Sequence, residues 1–318
     1  MSNDMLKTLL IGALLAGAAF AADADFNGRW MIQPQGADRD RAAWLEISGA
    51  GSGKISGSVV GMQSGGQVDP IADARIEGGE LHFQVDRLAG VGAKQRMTHS
   101  PSTARVHGDQ IEGKSTVGGK TFTWKGRRAP VIDEKDDGSW KHGDPVVLFG
   151  GKTMTHWQAQ HPERTKEWSI QDGLLVNSPH ADLLVSKDKF WNFELLVVFL
   201  VKPGMNSGIG LRGRYEIQIF DDYGEEPSLH GNGALYSRVP PSVNASKPAG
   251  EWQTMLIRLV GRDLTVTLNG QEIHDKTLVE GFTAMATDWH EDQPGPITIQ
   301  GDHGQIQIRK IVVTPLER

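Results

Sequence analysis

The 318-residue chain contains no cysteine, so disulfide staples, a thiolate nucleophile and thiolate metal ligation are all excluded. Stability must come from packing and sheet hydrogen bonds. Long apolar runs are also missing. The one hydrophobic stretch, from Leu9 to Phe20, falls short of the roughly 20 residues that span a bilayer. Lys7 stands before it, and Ala19-Phe20-Ala21 puts small residues where a signal peptidase cuts, so residues 1–21 read as a signal peptide. The mature chain is then expected to be exported, periplasmic or extracellular, with no membrane attachment after cleavage. Basic runs with interleaved aromatics are absent and the net charge is only −6, which argues against nucleic acid as a partner. Helical periodicity is scarce, and with it go the loops that cradle phosphates or dinucleotides at a helix start. Gly208-Ile-Gly210 is a chance fragment of such a loop. No nucleophile elbow with triad partners is visible. The eleven histidines show no compact ligand spacing: His156 and His161 are five apart, and His142 and His180 are isolated.

What the chain does have is glycine, at 39 residues, arriving as pairs or clusters between apolar-alternating segments, the way turns punctuate consecutive strands. Between Phe26 and Arg128 eight short strands are expected, over residues 29–32, 44–48, 54–60, 71–76, 80–86, 104–107, 110–116 and 121–127. Tight turns between them suggest a small antiparallel β-barrel or meander domain over residues 22–129. Residues 130–145 turn acidic and irregular, with Asp133, Glu134, Asp136 and Asp137 close together, a composition expected of a linker. The second domain, residues 146–318, carries longer strands at 193–201, 215–220, 254–260 and 297–300 and ends in an alternating strand at 305–313. Asn269-Gly270 between 264–268 and 272–274 is a strong hairpin signal, because both turn positions need positive φ. Two stacked sheets are expected, and the whole chain is expected to be all-β.

The most informative segment runs from Asn206 to Asp222. Side chains alternate across a strand, so Arg212, Arg214, Glu216 and Gln218 are expected on one face and Tyr215, Ile217 and Ile219 on the other. Later strands behave alike, with Thr298 and Gln300 opposite Ile297 and Ile299, and Gln305, Gln307 and Arg309 opposite Ile306 and Ile308. For any single strand a solvated outer face is the plain explanation. Three together suggest a sugar surface, because planar Arg, Gln and Glu groups offer paired donors and acceptors to vicinal hydroxyls. Trp157, Trp168, Trp191 and Trp252 would supply stacking platforms, although each taken alone reads as core. His303 lies in Gln300-Gly-Asp-His-Gly304, where flanking glycines let the backbone bring an imidazole and a carboxylate to a sheet edge. A purely structural hydrogen bond is an equally good reading of that histidine.

Leu148-Phe149-Gly-Gly-Lys152 precedes Trp157, followed by Trp168-Ser-Ile-Gln-Asp-Gly173, Asp182-Leu-Leu-Val185 and Phe193-Glu194. Then come Asn206-Ser-Gly208, Leu211-Arg212, Tyr215-Glu-Ile-Gln-Ile-Phe-Asp221, Gly233-Ala-Leu-Tyr236, Lys247-Pro-Ala-Gly-Glu-Trp252, Leu268-Asn-Gly270 and Asp302-His-Gly304 with Arg309. In this order, the region from about residue 146 to 316 resembles the 3-keto-disaccharide hydrolase family. Gln253 and Lys310 depart from it, each standing where the pattern usually has Asn. The resemblance implies a concanavalin-like β-sandwich, or jelly roll. It also implies cleavage of glucosides already oxidised to a ketone at carbon 3, by elimination and then hydration. Carried over residue by residue, it implies Glu216 and His303 as general base and acid in either order, with Arg212 and Lys247 at the enolate. Gln218, Asn206, Asp302, Tyr215, Asp221 and Arg309 would position hydroxyls or one another, but strict alternation makes Tyr215 and Asp221 structural unless a bulge intervenes. The implied partners are an oxidised (3-keto) glucoside and an upstream sugar 3-dehydrogenase. No cofactor is evident, and a divalent cation stays open without a recognisable ligand set. Residues 22–129 lie outside the resemblance and look vaguely lipocalin-like. The alternative is a non-catalytic carbohydrate-binding module on the same sandwich, since fold does not settle function. A laminarinase-type glycosidase would need Glu-x-Asp-x-x-Glu on one strand, which is missing.

Overall fold

A computed structural model describes residues 22–36, 41–62, 66–89, 94–283 and 285–318, so the expected signal peptide lies outside the described residues. Alternating apolar residues and glycine turns make nearly every described element a β-strand. Two short 3-10 helices, Asp23–Phe26 and Pro162–Glu167, are the exceptions among the described elements. No helix there is long and apolar enough to cross a membrane.

The first strands are β1 (Gly28–Pro34), β2 (Ala43–Ser48), β3 (Ser56–Val60), β4 (Asp69–Glu77), β5 (Glu80–Ala89), β6 (Arg96–His107), β7 (Gln110–Val117) and β8 (Lys120–Arg128). They form a closed barrel in sequence order, β8 pairing back onto β1. Trp30, Leu45, Phe83 and Trp124 fill its interior. Strand β6 begins well before the expected residue 104 because its inward positions there are the buried Ser100 and Ser102, which carry no apolar alternation. Those positions are satisfied by hydrogen bonding: Ser102 pairs with Ser115 at 2.8 Å, and Ser115 accepts from Trp124 Nε1 at 3.0 Å.

The rest of the chain builds a two-sheet sandwich. Its strands are β9 (Lys141–His142), β10 (Val146–Phe149), β11 (Trp157–Ala159), β12 (Trp168–Gln171), β13 (Leu174–Asn177), β14 (Leu184–Phe190) and β15 (Phe193–Val201). They continue as β16 (Asn206–Leu211), β17 (Tyr215–Phe220), β18 (Gln253–Val260), β19 (Asp263–Leu268), β20 (Gln271–Leu278), β21 (Gly295–Ile299) and β22 (Ile306–Glu317). The larger sheet runs β12-β13-β22-β15-β18-β19-β20, with β9 and β10 also on β22, and the smaller runs β11-β14-β21-β16-β17. Strand β15 alternates strictly between buried and half-buried positions, as expected of a sheet with one face in the core. At the β19–β20 turn Asn269 and Gly270 take φ of 54° and 87°, the conformation their sequence signalled.

Residues 130–145, whose composition suggests a linker, are tied down by charge pairing. Asp136 is buried against Arg258 at 2.6 Å, Glu134 accepts from Trp191 Nε1 at 2.6 Å, and β9 pairs with the end of β22. The barrel in turn is packed into the sandwich. Its Met31, Ala42, Trp44 and Val60 join the sandwich's hydrophobic cluster, Trp44 meeting Phe282 edge-on with ring centroids 5.6 Å apart. Arg29 forks onto Glu280 with two contacts of 2.6 Å.

Candidate active site

Strand β17 divides its side chains as the period of two requires. Tyr215, Ile217 and Ile219 enter the core between the sheets, while Glu216 and Gln218 face the other way, into a cleft of about 220 Å³. Strand β16 sits alongside, with Gly208 paired to Gln218 and Gly210 to Glu216. A Cβ on Gly208 would overlap the Glu216 carboxylate, and one on Gly210 would overlap Thr298 Oγ1. Gly208-Ile-Gly210 is therefore a spatial requirement of this hairpin, although it has nothing to do with phosphate binding. The Glu216 backbone is held by its N–H donating to Thr283 Oγ1 at 2.9 Å and its carbonyl accepting from Tyr236 N–H at 3.0 Å.

No hydrogen bond or salt bridge reaches the Glu216 carboxylate among the described residues, although the side chain is buried. Burial pushes its pKa up to about 8, against the lowering effect of Arg41 and His303 and with a smaller rise from Asp302. At the rim His303 Nδ1 lies 2.7 Å from Asp302 Oδ1. That hydrogen bond, outweighing partial burial, raises the His303 pKa; burial works against the Asp302 carboxylate, but His303 and Arg41 hold it below its usual range. Gln218, almost fully buried, keeps Oε1 without a partner among the described residues, while Asn206 and Gln300 complete the same wall. Gln300 is fixed by its N–H donating to Gly208 O at 2.9 Å and its carbonyl accepting from Ser207 Oγ at 2.7 Å. Of the residues singled out by resemblance, then, Glu216, His303, Asp302, Gln218 and Asn206 come together.

The others do not. Arg212 sits in the β16–β17 turn at φ 51°, where strand alternation no longer applies, and its guanidinium is drawn inward to donate to Trp191 O at 2.7 Å and Gly261 O at 2.9 Å. Burial lowers its pKa to about 10, and it serves packing. Arg214 is likewise turned into an ion pair with Asp288 at 2.7 Å. Lys247 is exposed and spends Nζ on Trp252 O at 3.2 Å, away from the cleft. Tyr215 is core, donating to Glu291 Oε1 at 2.6 Å, and Asp221 caps a turn by accepting from Gly204 N–H at 2.9 Å. Arg309 lies over the Trp252 ring at 3.8 Å, on the outer face of the larger sheet. The reason is geometric: β22 and β17 belong to sheets stacked core to core, so their polar faces point apart. None of the four tryptophans named above lines the cleft. Trp157 and Trp168 are buried, and Trp191 and Trp252 are covered by Arg212 and Arg309.

Sequence reasoning missed Arg41 and Tyr236 in the cleft wall. It also missed Asn177, which clamps the histidine loop by donating to Gly301 O at 2.9 Å and Gly304 O at 2.7 Å and accepting from Ile306 N–H at 2.8 Å. A buried asparagine in a short strand carries no local signal for such a role. Tyr236, by contrast, closes the quoted Gly233-to-Tyr236 motif and was within reach. No group of three or more His, Cys, Asp or Glu side chains arranged to hold a metal ion occurs among the described residues.

Comparison with known proteins places these features in context. Over 143 residues the chain is 24% identical to a 3-keto-disaccharide hydrolase from Bacteroides thetaiotaomicron, a match covering 34% of this chain and 49% of that protein. The chain thus spans about half the length of this curated relative. Among solved structures, one from Parabacteroides distasonis, described as a candidate glycosyl hydrolase, shares 25% identity at a TM-score of 0.48 and covers 59% of this chain and 92% of its own. A second from the same organism, described alike, shares 27% identity at a TM-score of 0.44 and covers 54% of this chain and 100% of its own. Residues 144–314, just over half of the 318 residues, match the family model of the 3-keto-alpha-glucoside-1,2-lyase-like domain, and the chain belongs to that family.

Proposed function

We propose that the chain cleaves glucosides carrying a ketone at carbon 3, by elimination of the aglycone followed by hydration. The ketone acidifies the carbon 2 proton, and ionised Glu216 removes it; the electron pair moves into a C2–C3 enolate. The enolate collapses back to the ketone, forms a C1–C2 double bond and expels the aglycone oxygen, which takes a proton from the His303 imidazolium. Water then adds at carbon 1 with neutral His303 as base, and protonated Glu216 returns a proton to carbon 2. Asp302 fixes the imidazole and favours its charged form. Asn206, Gln218 and Gln300 face the sugar hydroxyls, and the unpartnered Gln218 Oε1 is an acceptor awaiting a donor. No oxocarbenium-like transition state is needed, so no pair of carboxylates flanking the glycosidic bond is called for.

The observation that carries this reading is the Glu216 carboxylate, buried and without a partner among the described residues at the wall of a cleft whose rim holds an Asp–His pair. A desolvated carboxylate with a pKa of about 8 is a stronger base than a solvated one and matches carbon-acid chemistry near neutral pH. A binding module has no use for that cost. The same proposal places the reaction outside the cytoplasm, because of the leader-like pattern ahead of Asp23, and requires a sugar 3-dehydrogenase upstream to make the ketone.

The test is release of nitrophenol from a nitrophenyl 3-keto-glucoside and from its unoxidised parent. Turnover of the ketone alone is the expected result. Binding of both sugars with turnover of neither would replace the enzyme with a carbohydrate-binding module.

A further inference from the structure

The reaction proposed above needs a positive group at the carbon 3 oxygen, where charge accumulates once the carbon 2 proton has gone. The two cations suggested by resemblance, Arg212 and Lys247, are engaged elsewhere. His303 is spent on the leaving group. Among the described residues the cleft contains one further cation, Arg41, and it comes from the N-terminal barrel.

Arg41 is half-buried, and no hydrogen bond or salt bridge engages its guanidinium among the described residues. Its backbone, in contrast, is firmly placed. The next residue, Ala42, is fully buried and donates its N–H to Ala286 O at 2.9 Å, beside Met285 of the cleft wall. Two residues further, Trp44 packs on Phe282. The adjacent Thr283 is the residue whose hydroxyl accepts the Glu216 N–H, so one loop grips both the start of β2 and the backbone of the proposed base. A second barrel loop reaches the cleft at Gly66.

We propose that Arg41 is the cation that binds the carbon 3 oxygen of the substrate and stabilises the enolate, making the barrel a working wall of the active site. This rests on the elimination reading of the cleft. A guanidinium without a partner among the described residues offers several donors in a fixed fork, which suits a ketone oxygen gaining negative charge. It acts across the interface between barrel and sandwich, so the sandwich by itself holds the base and the acid but lacks the group that stabilises the intermediate.

The experiment compares wild type, Arg41→Ala and Arg41→Lys on the nitrophenyl 3-keto-glucoside across pH, with melting temperatures as a check on folding. Arg41→Ala is expected to lower kcat about a hundredfold or more, with KM changed far less, and Arg41→Lys to recover part of the loss. The charged and titratable groups facing Glu216 are Arg41, His303, Asp302 and Tyr236. Of these Arg41 and His303 favour its ionised form, so removing Arg41 moves the midpoint of the limb that rises with pH to higher pH; a merely structural arginine would leave it in place. A kcat within threefold of wild type with an unmoved midpoint, in an enzyme that turns over the ketone, overturns the role of Arg41 and leaves the elimination reading standing. Wild type without turnover defeats that reading and this role together, and carboxyl NMR of Glu216 in wild type and Arg41→Ala then shows separately whether the arginine faces the carboxylate.

Discussion

Neighbouring residues on β17 serve two buried glutamates in opposite ways. On the core side, Tyr215 donates to Glu291, whose carboxylate also accepts from Arg262 at 2.8 Å. On the cleft side Glu216 is as deeply buried, with no partner for its carboxylate among the described residues. The first site compensates a buried charge and ties a loop near the barrel to the sandwich, although Glu291 Oε2 remains without a partner among the described residues. The second leaves the charge only partly offset by Arg41 and His303, and the rest of its cost persists as basicity. Burial alone does not mark a reactive carboxylate; burial without a partner beside a cleft does.

The contrast breaks if Glu216→Gln leaves catalysis intact. We expect a loss of about 10² to 10⁴ in kcat on the 3-keto glucoside. Stability should move the other way. The folded-state pKa of about 8 lies above the ordinary 4.5, so the fold prefers the protonated acid. Its contribution is full below the lower value and is lost as pH rises through the upper one. Glu216→Gln should therefore match wild type in melting temperature near the ordinary carboxylate pKa and exceed it by on the order of 5 °C in alkaline buffer.

On the other side of the strand, Arg262→Met strands the Glu291 charge. It should cost about 3–5 kcal/mol in denaturant melts while the folded enzyme keeps kcat within a few-fold. A large kinetic loss without destabilisation would mean that the two glutamates have been assigned the wrong way round. Gly208→Ala sharpens the comparison, since its methyl must push the Glu216 carboxylate out of place; a ten- to hundredfold drop in kcat is expected, as for other small misplacements of a reacting group. The smallest effect is a shift of profile. Asp302→Asn removes the carboxylate charge that strengthens the hydrogen bond and raises His303, so the limb on which activity falls with rising pH should move to lower pH, read from kcat/KM across the range. An unmoved limb would remove His303 as the proton donor.

Much of the fold was legible because its signals are local. The barrel's eight strands follow from alternation and glycine turns; several run a few residues past the expected ends, and β6 was cut shortest, where Ser100 and Ser102 hide the inward face. The site was legible in part. Glu216 and Gln218 sit within a regular strand, so the period of two places them together, and Asp302-His303 is adjacent in sequence. Arg212 was misplaced by extending that period through a turn at positive φ, and Arg309 by treating parallel patterns as one surface. The acidic segment near Asp136 read as a linker because its partner Arg258 lies far away in sequence.

Composition and periodicity by themselves determined an all-β, cysteine-free chain, its hairpin at Asn269-Gly270 and the division of β17 into a core face and a polar face. These depend on φ preferences and on neighbours one or two residues away. Only the tertiary structure decided that Arg41 shares a cleft with Glu216, that Arg309 points off the opposite sheet and that Glu291 meets Tyr215. A strand's pattern states which of its own sides is buried, while the sheet it joins and the loop it meets are set by pairing between distant segments.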